Sequence, residues 1–120
     1  MCDNMNKKER NDILAKKNNK ETLKIVEEKI EEMEENLTDT KNKVSERTEK
    51  IENMELLGFD KEFKTEYQII KDKKESDERV IQKWIKPTIE LLKEKRMDCL
   101  LATKKKELEK MKKEIEEINK

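Results

Sequence analysis

The sequence predicts an all-α protein: an elongated antiparallel helical hairpin or coiled coil, with length left over for a third helix at its carboxy-terminal end. Three observations predict it. Through residues 21–57 apolar side chains recur at the three-and-four spacing of a helical seam: Leu23, Val26, Ile30, Met33, Leu37, Val44, Ile51 and Met54. Directly after them comes the chain's one glycine, inside Leu56-Leu57-Gly58-Phe59-Asp60, the strongest turn signal present. A second apolar helical face then starts at Phe59 and continues as Phe63, Tyr67 and Ile70.

Composition narrows the choice to two classes. Half of the residues are charged and 32% are hydrophobic, which fits either disorder or long helices with a narrow apolar stripe. A sustained seam serves no purpose in a disordered tail. The straight-chain residues Lys, Glu, Leu and Met lose little rotamer freedom in a helix. Burial is therefore expected along a seam one or two side chains wide.

Residues 1–19 read as a polar, partly flexible amino-terminal arm with a short helix around 7–17. Asn18 and Asn19 suit a cap or turn. Helix 20–57 comes next, with its charges off the seam and pairs such as Glu46 and Lys50 at i, i+4. Gly58 is expected to take the left-handed conformation that stops it, Phe59 to add an apolar contact, and Asp60 to cap the next helix, giving a turn at 58–60. Phe59, Phe63, Tyr67 and Ile70 are expected to make the turn end the best-packed part of the hairpin.

The returning arm, 61–119, is expected to be kinked. Residues 71–79 hold no apolar side chain, and Ser76-Asp77-Glu78 resembles a helix start, so a break or bend is expected there. The apolar face returns at Val80, Ile81, Trp84, Ile85, Ile89, Leu91 and Leu92. Pro87 inside it predicts a kink. At 1.5 Å per residue the first helix is about 55 Å long, and an antiparallel partner of equal length ends near residue 96. A register change is expected over 93–100. Beyond it Leu101, Leu108, Met111, Ile115 and Ile118 form a fresh heptad with Lys104 at a seam position. That tail has two options, to fold back as a third helix or to project toward another subunit. Together, 20–120 read as one coiled-coil hairpin.

Charge and residue chemistry exclude several functions. Thirty acidic and thirty basic residues cancel, so no basic field draws nucleic acid, and none is expected as a partner. The distribution is uneven: residues 21–57 carry six basic and twelve acidic groups, a net of −6, between basic ends. Histidine is absent, and Cys2 with Cys99 makes neither a disulfide framework nor a zinc site. No nucleophile stands beside a base, no glycine-rich phosphate loop exists, and the paired glutamates of 27–35 lie on a solvated helix face. No catalytic residue, metal, cofactor or small-molecule substrate is expected, and the protein is not read as an enzyme. Neither a signal peptide nor a transmembrane segment is present, so the expected location is the cytoplasm.

Arg47 interrupts the seam between Val44 and Ile51. A charge there costs stability but can fix register. Lys43-Val44-Ser45-Glu46-Arg47 and Lys50-Ile51-Glu52-Asn53-Met54 resemble the central region of vesicle-type R-SNAREs, which implies a membrane-fusion component as one alternative. A small helical-bundle co-chaperone or regulator of a cytoskeletal subunit is another. The leading expectation is a non-enzymatic structural or adaptor subunit of a cytoskeletal or trafficking assembly. It would bind a protein partner, self or hetero, through Leu23, Val26, Ile30, Met33, Leu37, Val44, Arg47, Ile51, Met54, Leu101, Leu108, Met111, Ile115 and Ile118.

Overall fold

A computed structural model describes residues 5–119, and these are all-α: no strand occurs among them. The order is α1 (Lys7–Ala15), α2 (Lys20–Leu56), α3 (Phe59–Glu62), α4 (Lys64–Val80), a π-helical turn (Ile81–Ile85) and α5 (Lys86–Ile118). The chain divides into two compact units, one of residues 33–88 and one of residues 1–32 with 89–120. Cys2 lies outside the described residues.

Local chemistry sets each boundary. Asn6 caps α1, its Oδ1 accepting the Glu9 N–H at 2.8 Å. Asn19 starts α2 in the same way, its Oδ1 accepting the Thr22 N–H at 2.8 Å while its carbonyl accepts the Leu23 N–H. The expected polar arm thus holds a helix, and that helix is anchored, with Met5 and Ile13 buried. α2 stops at Gly58, whose φ of 74° is the left-handed conformation expected of it. Asp60 does not cap α3. Gly58 occupies the N-cap, and Asp60 lies within the first turn of α3, where its charge suits the helix dipole.

Unit 33–88 contains the antiparallel hairpin. Arg47 of α2 pairs with Asp77 of α4, and Glu55 of α2 with Tyr67 of α4. Moving toward the turn along α2 therefore means moving toward the turn along α4. The break expected over 71–79 is not there: α4 runs unbroken through it. The polar side chains there have helical partners of their own kind, Gln68 with Asp72 at 2.8 Å and Lys74 with Glu78 at 3.8 Å. The irregularity sits instead at the π-helical turn, where the Lys86 N–H reaches back to the Ile81 carbonyl. In a straight α-helix the Pro87 ring would press on the Lys83 carbonyl one turn earlier. The wider turn falls directly before that clash.

The turn end is not the best-packed region. Neither α3 nor α4 contains a buried residue, and Phe63 is exposed. Phe59 and Phe63 pack edge to face on one another, 5.3 Å between centroids at 80°. Two helices meeting at a turn have no third layer to cover an aromatic face. Burial concentrates elsewhere, on Met33, Ile51, Ile81, Ile85 and Thr88 in this unit.

Unit 1–32 with 89–120 is closed by aliphatic and sulfur side chains: Val26, Ile30, Ile89, Leu92 and Cys99 are buried, Val26, Leu92 and Cys99 completely. Lys95 is buried beside them, its Nζ donating to the Lys16 carbonyl at 2.5 Å. That carbonyl belongs to the C-cap of α1, where a cation is favoured by the helix dipole. The Cys99 thiol donates to Asn18 Oδ1 at 3.7 Å, tying the α1–α2 connection to α5. Among the described residues no third helix folds back. α5 continues as one helix through the expected register change to Ile118.

Candidate interaction site

The expected partner-binding residues separate into two sets. In α2, Val26, Ile30, Met33 and Ile51 are buried, and Leu23, Leu37, Val44, Arg47 and Met54 are half-buried. This burial arises within a single chain, so four of these α2 side chains are covered without a partner and the other five are covered in part.

Arg47 is explained by the same arrangement. Its Nη1 pairs with the Asp77 carboxylate and donates to the Lys73 carbonyl at 3.4 Å. Both partners come from the apolar-free stretch 71–79. The polar interruption in α2 and the polar gap in the returning arm thus answer one another. The sequence signal that joins them is their separation from the turn, since Arg47 and Asp77 lie at equal distances either side of residue 62.

The second set behaves differently. Leu101, Leu108, Met111, Ile115 and Ile118 are all exposed, by 56% to 81%. Every described residue from Lys104 onward is exposed. Met97, 56% exposed, belongs with them and was missed. It lies four residues before Leu101, extending the series 97, 101, 104, 108, 111, 115, 118 at alternating steps of four and three. At 3.6 residues per turn this strip lies about 150° around α5 from the buried face of Leu92, Lys95 and Cys99. It is a second seam on the opposite side of the helix. That is why Leu101 falls out of frame with Leu92 and Cys99 while the helix itself does not change.

A smaller apolar patch lies at the turn, where Leu56 is 84% and Leu57 66% exposed beside the exposed Phe63. A polar cleft of about 620 Å³ opens between Asn18–Glu21 and the α5 residues Thr103, Lys106, Glu107 and Lys110. Among the described residues no group of three or more His, Cys, Asp or Glu side chains is placed to hold a metal ion. No described helix is long and apolar enough to cross a membrane.

No protein-family model, curated protein or solved structure matches this chain. The geometry of the chain itself is the basis for any reading of its function.

The site is thus a strip of large apolar side chains on a helix, flanked by charges and open along its length. Chemically it can do one thing well. It can bury itself against another apolar helix face, since exposed contiguous apolar surface of this kind marks an interaction site.

Proposed function

We propose that this protein is a non-enzymatic coiled-coil structural or adaptor subunit, which joins its assembly through the Met97–Ile118 face of α5. The observation that carries this reading is the exposed seam of Leu101, Leu108, Met111, Ile115 and Ile118, set against an α2 seam that is buried or half-buried within the chain. The folded body positions α5, and the outward face of α5 supplies the contact. Arg47 has its counter-charge in Asp77 of the same chain, which supports reading it as an internal rung of the hairpin.

Crosslinking in the native cell, read by mass spectrometry, tests this. The comparison is between the wild-type chain and a Leu108→Asp, Ile115→Asp variant. Both positions are exposed, so helicity by circular dichroism is expected to persist. The variant should lose the neighbours that crosslink to α5. An identical set of neighbours from both chains would rule the reading out.

One observation favours a second reading, a small helical co-chaperone that grips a client with its tip. Leu56, Leu57 and Phe63 are exposed together at the hairpin turn. A Leu56→Ser, Leu57→Ser variant that loses neighbours while the α5 variant keeps them would select it.

A further inference from the structure

The exposed seam of α5 carries a charge pattern that selects its occupant. In heptad terms Leu101, Leu108 and Ile115 take position a, and Met97, Lys104, Met111 and Ile118 take position d. The flanking g positions then carry Glu107 and Glu114, and the flanking e positions Lys105 and Lys112. Over 105–114 one flank is acidic and the other basic, all four residues are exposed, and the e position one heptad earlier holds the exposed Asp98.

Such a helix complements itself in one direction only. In a parallel pair, each g residue meets the e residue of the next heptad on the other helix. Glu107 of one copy then faces Lys112 of the second, and the two-fold axis repeats that pair. Glu114 meets the neutral Asn119, and Lys105 meets Leu100, so no like charges meet across the flanks. In an antiparallel pair e faces e and g faces g. Lys105 would then meet Lys112, and Glu107 would meet Glu114, with each repulsion repeated by symmetry.

We infer that residues 97–118 of α5 pair in parallel with the same stretch of a second copy of this chain. This rests on the adaptor reading of that face and adds its occupant and direction. The buried face of α5 lies on the far side of the helix, so a second copy can seat without disturbing Leu92 or Cys99. Lys104 meets its own equivalent at a d layer. Its stem can lie along the seam while the ammonium reaches water. In a trimer or tetramer three or four such ammonium groups would crowd one layer, which favours two strands. The seam is about 33 Å long, roughly three heptads. With one charged layer in so short an interface, the dimer forms in a concentration-dependent way.

Sedimentation equilibrium on the full chain over a range of concentrations tests this. The expected result is a monomer–dimer equilibrium. Glu107→Lys alone and Lys112→Glu alone should each weaken the dimer about tenfold, because each replaces two attractions with two repulsions. Mixing these two variants should restore pairing as a heterodimer, and so should placing both changes in one chain. Oxidation of a Met111→Cys variant should crosslink the dimer, since like d positions meet only in a parallel pair. Tighter association of either single variant would point to an antiparallel pair and overturn the proposal. So would a monomer at every concentration, or a dimer that Leu108→Asp leaves intact. These outcomes leave the adaptor reading to stand or fall separately on its crosslinked neighbours.

Discussion

The returning arm of this protein has two stretches that hold the chain by different means. From Ile81 to Cys99 it buries Ile81, Ile85, Thr88, Ile89, Leu92, Lys95 and Cys99. From Lys64 to Val80 no residue is more than half-buried. The first stretch excludes water along an apolar strip. The second meets α2 through polar rungs, Arg47 with Asp77 and Tyr67 with Glu55. The difference teaches that a seam visible on one helix does not show what lies against it. Leu37, Val44 and Met54 continue the α2 seam beyond Val26, Ile30 and Met33, with Thr40 and Arg47 at its intervening positions, yet they are only half-buried.

The stability cost of truncation should track this division. Leu92→Ala removes a side chain with no exposed surface, leaving a cavity, and should cost about 2–5 kcal/mol. Ile70→Ala, on the half-buried face of α4, should cost about 1 kcal/mol. Urea melts monitored by the fluorescence of Trp84, the only tryptophan, measure both. Equal costs at the two positions would erase the distinction drawn between the stretches.

Much of the fold was legible because its signals are local. The α2 periodicity, the capping asparagine at position 19 and the left-handed Gly58 each act within a few residues of where they are read. What was misread depends on side chains far apart in sequence. The break expected over 71–79 came from the absence of apolar residues, but Asp77 lies across from Arg47, thirty residues away. The aromatics at 59, 63, 67 and 70 share a helical face, yet whether that face is covered depends on a layer that is not there. The candidate site was legible in part. The heptad from Leu101 was plain, whereas Met97 was hidden among residues that also serve the buried face. Whether either seam was free could not be told from spacing, since a covered heptad and an open one look alike in sequence.

A smaller effect isolates the polar rung. Arg47 and Asp77 side chains retain 28% and 25% exposure, so water screens their attraction. A double-mutant cycle on Arg47→Leu and Asp77→Asn should give a coupling of about 0.5–1 kcal/mol, reduced in 1 M salt. Arg47→Leu alone should destabilise the chain, since it leaves the Asp77 carboxylate half-buried without its counter-charge. If Arg47→Leu stabilises instead, the rung is a tolerated interruption of an apolar seam, and α4 resembles the rest of the arm more than its burial implies.

The smallest effect distinguishes the two stretches by pH. The Tyr67 hydroxyl donates to Glu55 Oε1 at 2.5 Å. Mainly through this hydrogen bond, helped by desolvation and by the nearby negative charges of Glu55 and Asp60, the Tyr67 pKa is pushed up to about 12. The neutral phenol is the form that folding favours. Its contribution is therefore complete below the ordinary tyrosine value near 10 and is lost as pH rises from there through about 12. Tyr67 is the only tyrosine, so the rise of phenolate absorbance at 295 nm reports it alone. Titration of the folded chain should show a midpoint well above 10, and Glu55→Gln should lower it. The apolar stretch has no tyrosine, so Leu92→Ala should leave the midpoint in place while the chain stays folded. A midpoint near 10 in the wild-type chain would mean that the Tyr67–Glu55 rung does not persist in solution, leaving Arg47 and Asp77 to hold that part of the hairpin.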